Sequence, residues 1–130
     1  MLVCNKCFKP KCNCNESEKV EIDDGILDSI RILNEKGYIT EFCCSGHKEN
    51  TIFQCYIMFK NKEYFLDLPN GFTLYKKGKA KGNKLLEYID KEWNKKSETE
   101  KESIMIDVWY KLFVWCKKLP NKNEFKTQWW

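Results

Sequence analysis

Four of the chain's eight cysteines fall between Cys4 and Cys14, as Cys4-Asn-Lys-Cys7 followed after a four-residue gap by Cys12-Asn-Cys14. Packing alone does not explain that density. A C-x2-C turn lets two thiolates converge on one ion, and a second closely spaced pair can close the tetrahedron. A soft set of four sulfurs with no open position suits zinc, or iron. Pro10 and the lysines beside it have little else to pack on, so metal binding is what folds this segment. The constraint is therefore strong. Residues 1–15 read as a zinc knuckle with Cys4, Cys7, Cys12 and Cys14 as ligands, and residues 16–130 as a single domain that carries it.

The chain has 130 residues, enough for one real core but not for two. Its 42% hydrophobic and 15% aromatic fractions argue against extended disorder. The opening residues lack the apolar stretch of a signal peptide, and no run reaches the length of a membrane span, so the expectation is a cytoplasmic protein with no membrane partner. In a reducing compartment clustered cysteines mean metal, and a disulfide framework is the alternative. The net charge of +4 comes almost wholly from lysine, since Arg31 is the single arginine. Planar recognition of phosphate or base edges leans on arginine, so sequence-specific nucleic-acid reading is disfavoured and nonspecific attraction to a polyanion stays open.

After a polar connector, Asp23 or Asp24 can cap a helix that places Ile26, Leu27, Ile30 and Leu33 at helical spacing and stops at Gly37. Tyr38 to Cys43 reads as a strand ending at the turn Cys44-Ser45-Gly46-His47. Thr51 to Phe59 is a second strand, with Phe53, Cys55, Ile57 and Phe59 alternating onto a buried face. Glu63 to Leu68 and Phe72 to Tyr75 read as a third and a fourth. Short connections favour an antiparallel meander. A helix from about Asn83 would carry Leu85, Leu86, Ile89 and Trp93 on one side. Ser97-Glu98-Thr99-Glu100 resembles a capping box, which starts a last helix that is apolar nearly all round from Ile104 to Cys116 and ends before Pro120. Such a helix lies centrally under another helix or forms an oligomer or partner interface. The fold class is α+β: an antiparallel sheet of about four strands, helices packed on one side, and the N-terminal knuckle.

Three further features bear on chemistry. Cys44 and His47, the only histidine, stand three residues apart with Cys55 on the next strand, which admits a second or shared metal site. The alternatives are that Cys43 and Cys55 are core residues while His47 sits in a turn making hydrogen bonds, or that Cys44 is a thiolate with His47 as its base. Lys76, Lys77, Lys79, Lys81 and Lys84 form a basic loop interrupted by Gly78 and Gly82, open to phosphate or to an acidic protein surface or simply solvated. It lacks the order of a phosphate-binding P-loop. Tyr64, Phe65, Phe72 and Tyr75 could stack on bases, though such aromatics are more often core. The chain closes on Trp129 and Trp130, which dock back on the body or on a partner.

Two resemblances arise. Cys44-Ser45-Gly46 ahead of a basic residue resembles the Cys-Ser-Gly-Arg segment of wybutosine-synthesis methyltransferases, which would imply an S-adenosylmethionine-dependent tRNA modifier; His47 stands where that segment has arginine. Over most of its length the layout is similar to small uncharacterised phage and prophage proteins of low-GC Gram-positive bacteria, in the cysteine knuckle, the passage from Gly37-Tyr38 to Cys44-Ser45-Gly46-His47, and Leu68-Pro69-Asn70-Gly71-Phe72. That setting implies a small zinc-binding, non-enzymatic protein, monomer or homodimer, that docks on a host protein or nucleoprotein and inhibits or modulates it, as anti-CRISPR proteins do. The lysine loop and the terminal tryptophans are the expected contact surfaces. The alternatives are a nucleic-acid-binding zinc protein and a Cys/His-dependent or RNA-modifying enzyme.

Overall fold

The computed structural model describes residues 1–75 and 82–122. Two short strands, β1 (Leu2–Cys4) and β2 (Lys19–Glu21), pair antiparallel and frame the N-terminal cysteine segment. A 3-10 turn at Asp24–Ile26 leads into helix α1 (Leu27–Glu35). Strands β3 (Thr40–Cys44), β4 (Phe53–Phe59), β5 (Thr73–Leu74) and β6 (Leu85–Asp90) form a four-stranded antiparallel sheet in the order β3-β4-β6-β5. A 3-10 turn at Trp93–Lys95 precedes helix α2 (Glu98–Lys118). The architecture is α+β, as the patterning predicts.

The core forms between one face of the sheet and the two helices. Phe53, Cys55, Ile57 and Phe59 of β4 are all fully buried, and Leu86 of β6 lies beside Ile57 in register. Leu27, Ile30 and Leu33 of α1 and Val108, Leu112, Trp115 and Cys116 of α2 join them in one cluster. Helix α1 ends as Gly37 demands: its φ of 96° lets the Gly37 and Tyr38 amides donate to the Asn34 and Leu33 carbonyls, closing a Schellman motif. Lys36, one residue earlier, reaches across to donate to the Cys116, Lys117 and Leu119 carbonyls, which ties the ends of both helices together. A second tie is the ion pair of Lys122 with Glu63, whose carboxylate is 2% exposed.

Several expectations change. The segment Leu85–Asp90 is a strand where a helix was expected, and it occupies the sheet position expected of Glu63–Leu68, which runs as an irregular connection. Pairing with β4 on one side and β5 on the other satisfies its backbone in a way that the helical spacing of Leu85, Leu86 and Ile89 could not reveal. Trp93, expected on that helix, is fully buried and stacks on Phe53 at 4.6 Å. Helix α2 buries one stripe, against which α1 packs, while Ile106 and Tyr110 on its outer face are 64% and 62% exposed, so the helix is not apolar and buried all round. Phe65 and Phe72, offered above for base stacking, pack against the core instead.

The capping box is present in full. Glu100 donates its amide to the Ser97 hydroxyl at 3.2 Å, and the Glu100 carboxylate accepts from the Ser97 amide at 3.3 Å. Ser97→Ala is therefore expected to cost about 1 kcal/mol in chemical denaturation, with no change in the denaturant slope. On the same helix, Trp109 donates its indole N–H to the Ser45 carbonyl at 2.8 Å. Trp109→Phe keeps an aromatic ring but shortens it and strands that carbonyl, so a loss of about 1–3 kcal/mol is expected by the same measurement.

Candidate metal centres

The N-terminal group is built on the β1–β2 ribbon. Val3, fully buried, anchors the ribbon in the core, and Cys4 follows it at the strand end. The chain then turns tightly: Phe8 donates to the Cys4 carbonyl at 2.9 Å and takes a φ of 58°, a left-handed residue that is not glycine. Lys6 points its amide at the Cys4 sulfur at 3.3 Å. The result brings the sulfurs of Cys4, Cys7, Cys12 and Cys14 within 4.8 Å of one another. Around a tetrahedral ion with bonds of about 2.3 Å, sulfurs stand about 3.8 Å apart, so this group can close on one metal ion with little movement. Amides of Cys7 and Lys6 aimed at Cys4 hold its thiol down to about 5, whereas the neighbouring thiols of Cys12 and Cys7 push Cys14 up to about 12.

Side chains from outside brace the loop. Asn5 and Glu18 exchange two hydrogen bonds, and the Lys6 and Lys19 ammonium groups donate to the Asn15 and Pro10 carbonyls. Arg31 of α1 donates twice to the Phe8 carbonyl, at 2.8 and 3.3 Å. The chain's one arginine thus serves the cysteine segment.

The second group lies at the end of β3. Cys43 and Cys44 are adjacent and point to opposite faces, in line with their cross-strand partners Ile57 and Tyr56. Cys43 enters the core, where burial pushes its thiol up to about 11. Cys44 faces the other way, and its sulfur stands 3.6 Å from His47 Nε2. The third member is Asp23, whose carboxylate lies within 4.8 Å of both donor atoms and accepts from the Ser45 amide at 3.0 Å. The Asp23 side chain, expected with Asp24 as a candidate helix cap, makes no cap hydrogen bond; it reaches to a turn 22 residues onward.

That turn is clamped. Trp109 takes the Ser45 carbonyl, Trp93 donates to the Lys48 carbonyl at 3.0 Å, and Gly46 lies against Phe53 at a φ of 92°. A Cβ at Gly46 would stand 2.3 Å from the Phe53 ring, so only glycine fits.

Cys55, expected as a further ligand, is fully buried on the inner face of β4 and outside this group; burial raises its thiol strongly, as it raises Cys116 to about 12. The Cys4 and Cys44 groups are separate, so the shared-site arrangement does not form. Lys84 is half-buried, while Lys76, Lys77, Lys79, Lys81, Trp129 and Trp130 lie outside the described residues. Among the described residues no helix is long and apolar enough to cross a membrane. No family model, no curated protein and no solved structure matches the chain.

Because the N-terminal loop has few core contacts beyond Val3 and Phe8, metal removal should act locally. With a strong chelator, amide exchange is expected to accelerate across residues 4–19 while the β4 and β6 amides keep their protection. Uniform loss of protection, or none, would contradict this assignment.

Proposed function

We propose that the chain is a zinc-stapled, non-enzymatic binding protein that docks on a host protein or nucleoprotein and modulates it, in the phage setting that its layout resembles. Zinc is the natural occupant of the Cys4, Cys7, Cys12 and Cys14 group, because four thiolates leave no open position and favour a soft, redox-inert ion. A closed site of this kind is a staple, and binding then falls to the surface.

The observation that carries the docking reading is an apolar row on the outer face of the sheet. Phe42, Met58 and Leu85 stand in register across β3, β4 and β6. Phe42 is 61% exposed, and Ile89 on the same face of β6 is 38% exposed. An aromatic side chain presented on a rigid sheet is the usual form of an interface anchor. Arg31 favours a protein partner over nucleic acid, since its guanidinium is committed to the Phe8 carbonyl and is not offered to phosphate.

The test uses the full chain, immobilised, against nuclease-treated host extract. Phe42→Lys is expected to weaken retention of the partner protein on the order of tenfold, with unchanged circular dichroism and metal content. Retention should survive moderate salt. Retention that is indifferent to Phe42→Lys, or binding of nucleic acid alone with steep salt dependence, would overturn the reading.

A further inference from the structure

We propose that Asp23, Cys44 and His47 form a second metal site, distinct from the cysteine staple, that holds Zn2+ through three protein ligands and leaves a fourth position for water or a small anionic donor. The inference goes beyond partner docking and does not depend on it.

The geometry separates a metal site from a catalytic relay. In a thiol–imidazole–carboxylate relay the ring lies between its two partners. Thiol and carboxylate are then kept apart by the ring and two hydrogen bonds of about 3 Å each. Here the sulfur, the ring nitrogen and the carboxylate oxygen all lie within 4.8 Å of one another, a triangle and not a line. A tetrahedral zinc with bonds of about 2.3 Å to sulfur and about 2.0 Å to nitrogen sets those two atoms about 3.5 Å apart. Cys44 Sγ and His47 Nε2 are separated by 3.6 Å.

The local backbone repeats that of the staple. In Cys4-x-x-Cys7 the amide two residues after the first ligand donates to its sulfur at 3.3 Å, and in Cys44-x-x-His47 the Gly46 amide does the same at 3.4 Å. Such amides hold a thiolate in place and offset its charge. Asp23 is oriented by the Ser45 amide, which leaves carboxylate lone pairs for an ion. The turn itself is fixed from outside by the Trp109 and Trp93 indoles. One sulfur, one nitrogen and one oxygen make a borderline donor set that zinc accepts. His47 is exposed, so the fourth position faces solvent, as in zinc sites that exchange a ligand.

The test counts metal in the full chain, purified without chelator and equilibrated with a small excess of Zn2+ before desalting. Wild type is expected to retain two zinc ions per chain. Asp23→Asn, Cys44→Ser and His47→Gln are each expected to retain one, and Cys12→Ser is expected to lose the other. His47 is exposed, so His47→Gln tests the site without risk to the core. With Co2+ in place of Zn2+, His47→Gln should lose the weaker, one-thiolate charge-transfer band and keep the four-thiolate band. Added azide should shift the ligand-field bands of wild type and leave those of His47→Gln unchanged. A second equivalent that is absent, or that survives His47→Gln and Asp23→Asn, would overturn the site. A wild-type cobalt spectrum indifferent to azide would overturn the open position. Failure of the staple reads differently: the ion lost with His47→Gln would be present and Cys12→Ser would cost nothing.

Discussion

The turn that follows β3 depends on two indole N–H groups. Ser45 and Gly46 are buried, and a buried turn carries backbone carbonyls that no sheet or helix ladder satisfies. Trp109 of α2 takes the Ser45 carbonyl and Trp93 takes the Lys48 carbonyl, while Trp115 serves the Asp67 carbonyl in the same way. Tryptophan suits this task because it fills the core and delivers one donor at its edge. Helix α2 therefore does more than cover the sheet. Its position fixes where Cys44 and His47 stand, and the 3-10 turn at Asp24–Ile26 packs against it so that Asp23 arrives at the same place.

The two cysteine-bearing turns show how one local device serves different ends. In each, an amide two residues on binds the first sulfur, and the second donor follows at the third position. Around Cys4 the remaining donors come from the next ten residues of the same loop, which Val3 and Arg31 tie to the rest of the fold. Around Cys44 the remaining donor is Asp23, and it arrives only when α1, α2 and β3 are packed. The first group is local in sequence, whereas the second exists only in the packed fold.

That difference explains what the sequence made legible. The spacing of Cys4, Cys7, Cys12 and Cys14 is local, as are the alternation along β4, the Ser97–Glu100 box and the Gly37 stop, and all four are found where they were read. The strand Leu85–Asp90 was not legible, because Leu85, Leu86 and Ile89 satisfy helical spacing equally well and only its two neighbours in the sheet decide the matter. Asp23, like Asp24, reads as a helix cap for a related reason. An aspartate before a helix is among the preferred caps, and nothing near it in sequence points to Ser45. Cys55 was grouped with Cys44 through proximity of strands, although the strict period of two along β4 already placed it on the inner face with Phe53 and Ile57.

Cys43 and Cys44 divide between the two faces of the sheet. Adjacent residues on one strand must face opposite ways, so no ion can take both while the strand persists. One is drawn under the helices and becomes an inert core thiol; the other is left on the outer face, in the same cross-strand row as Tyr56 and Glu87. The next row of that face carries Phe42, Met58 and Leu85. Cys44 and the apolar row thus lie on one face of the sheet. A partner anchored on Phe42 would lie within two residues of Cys44 along β3.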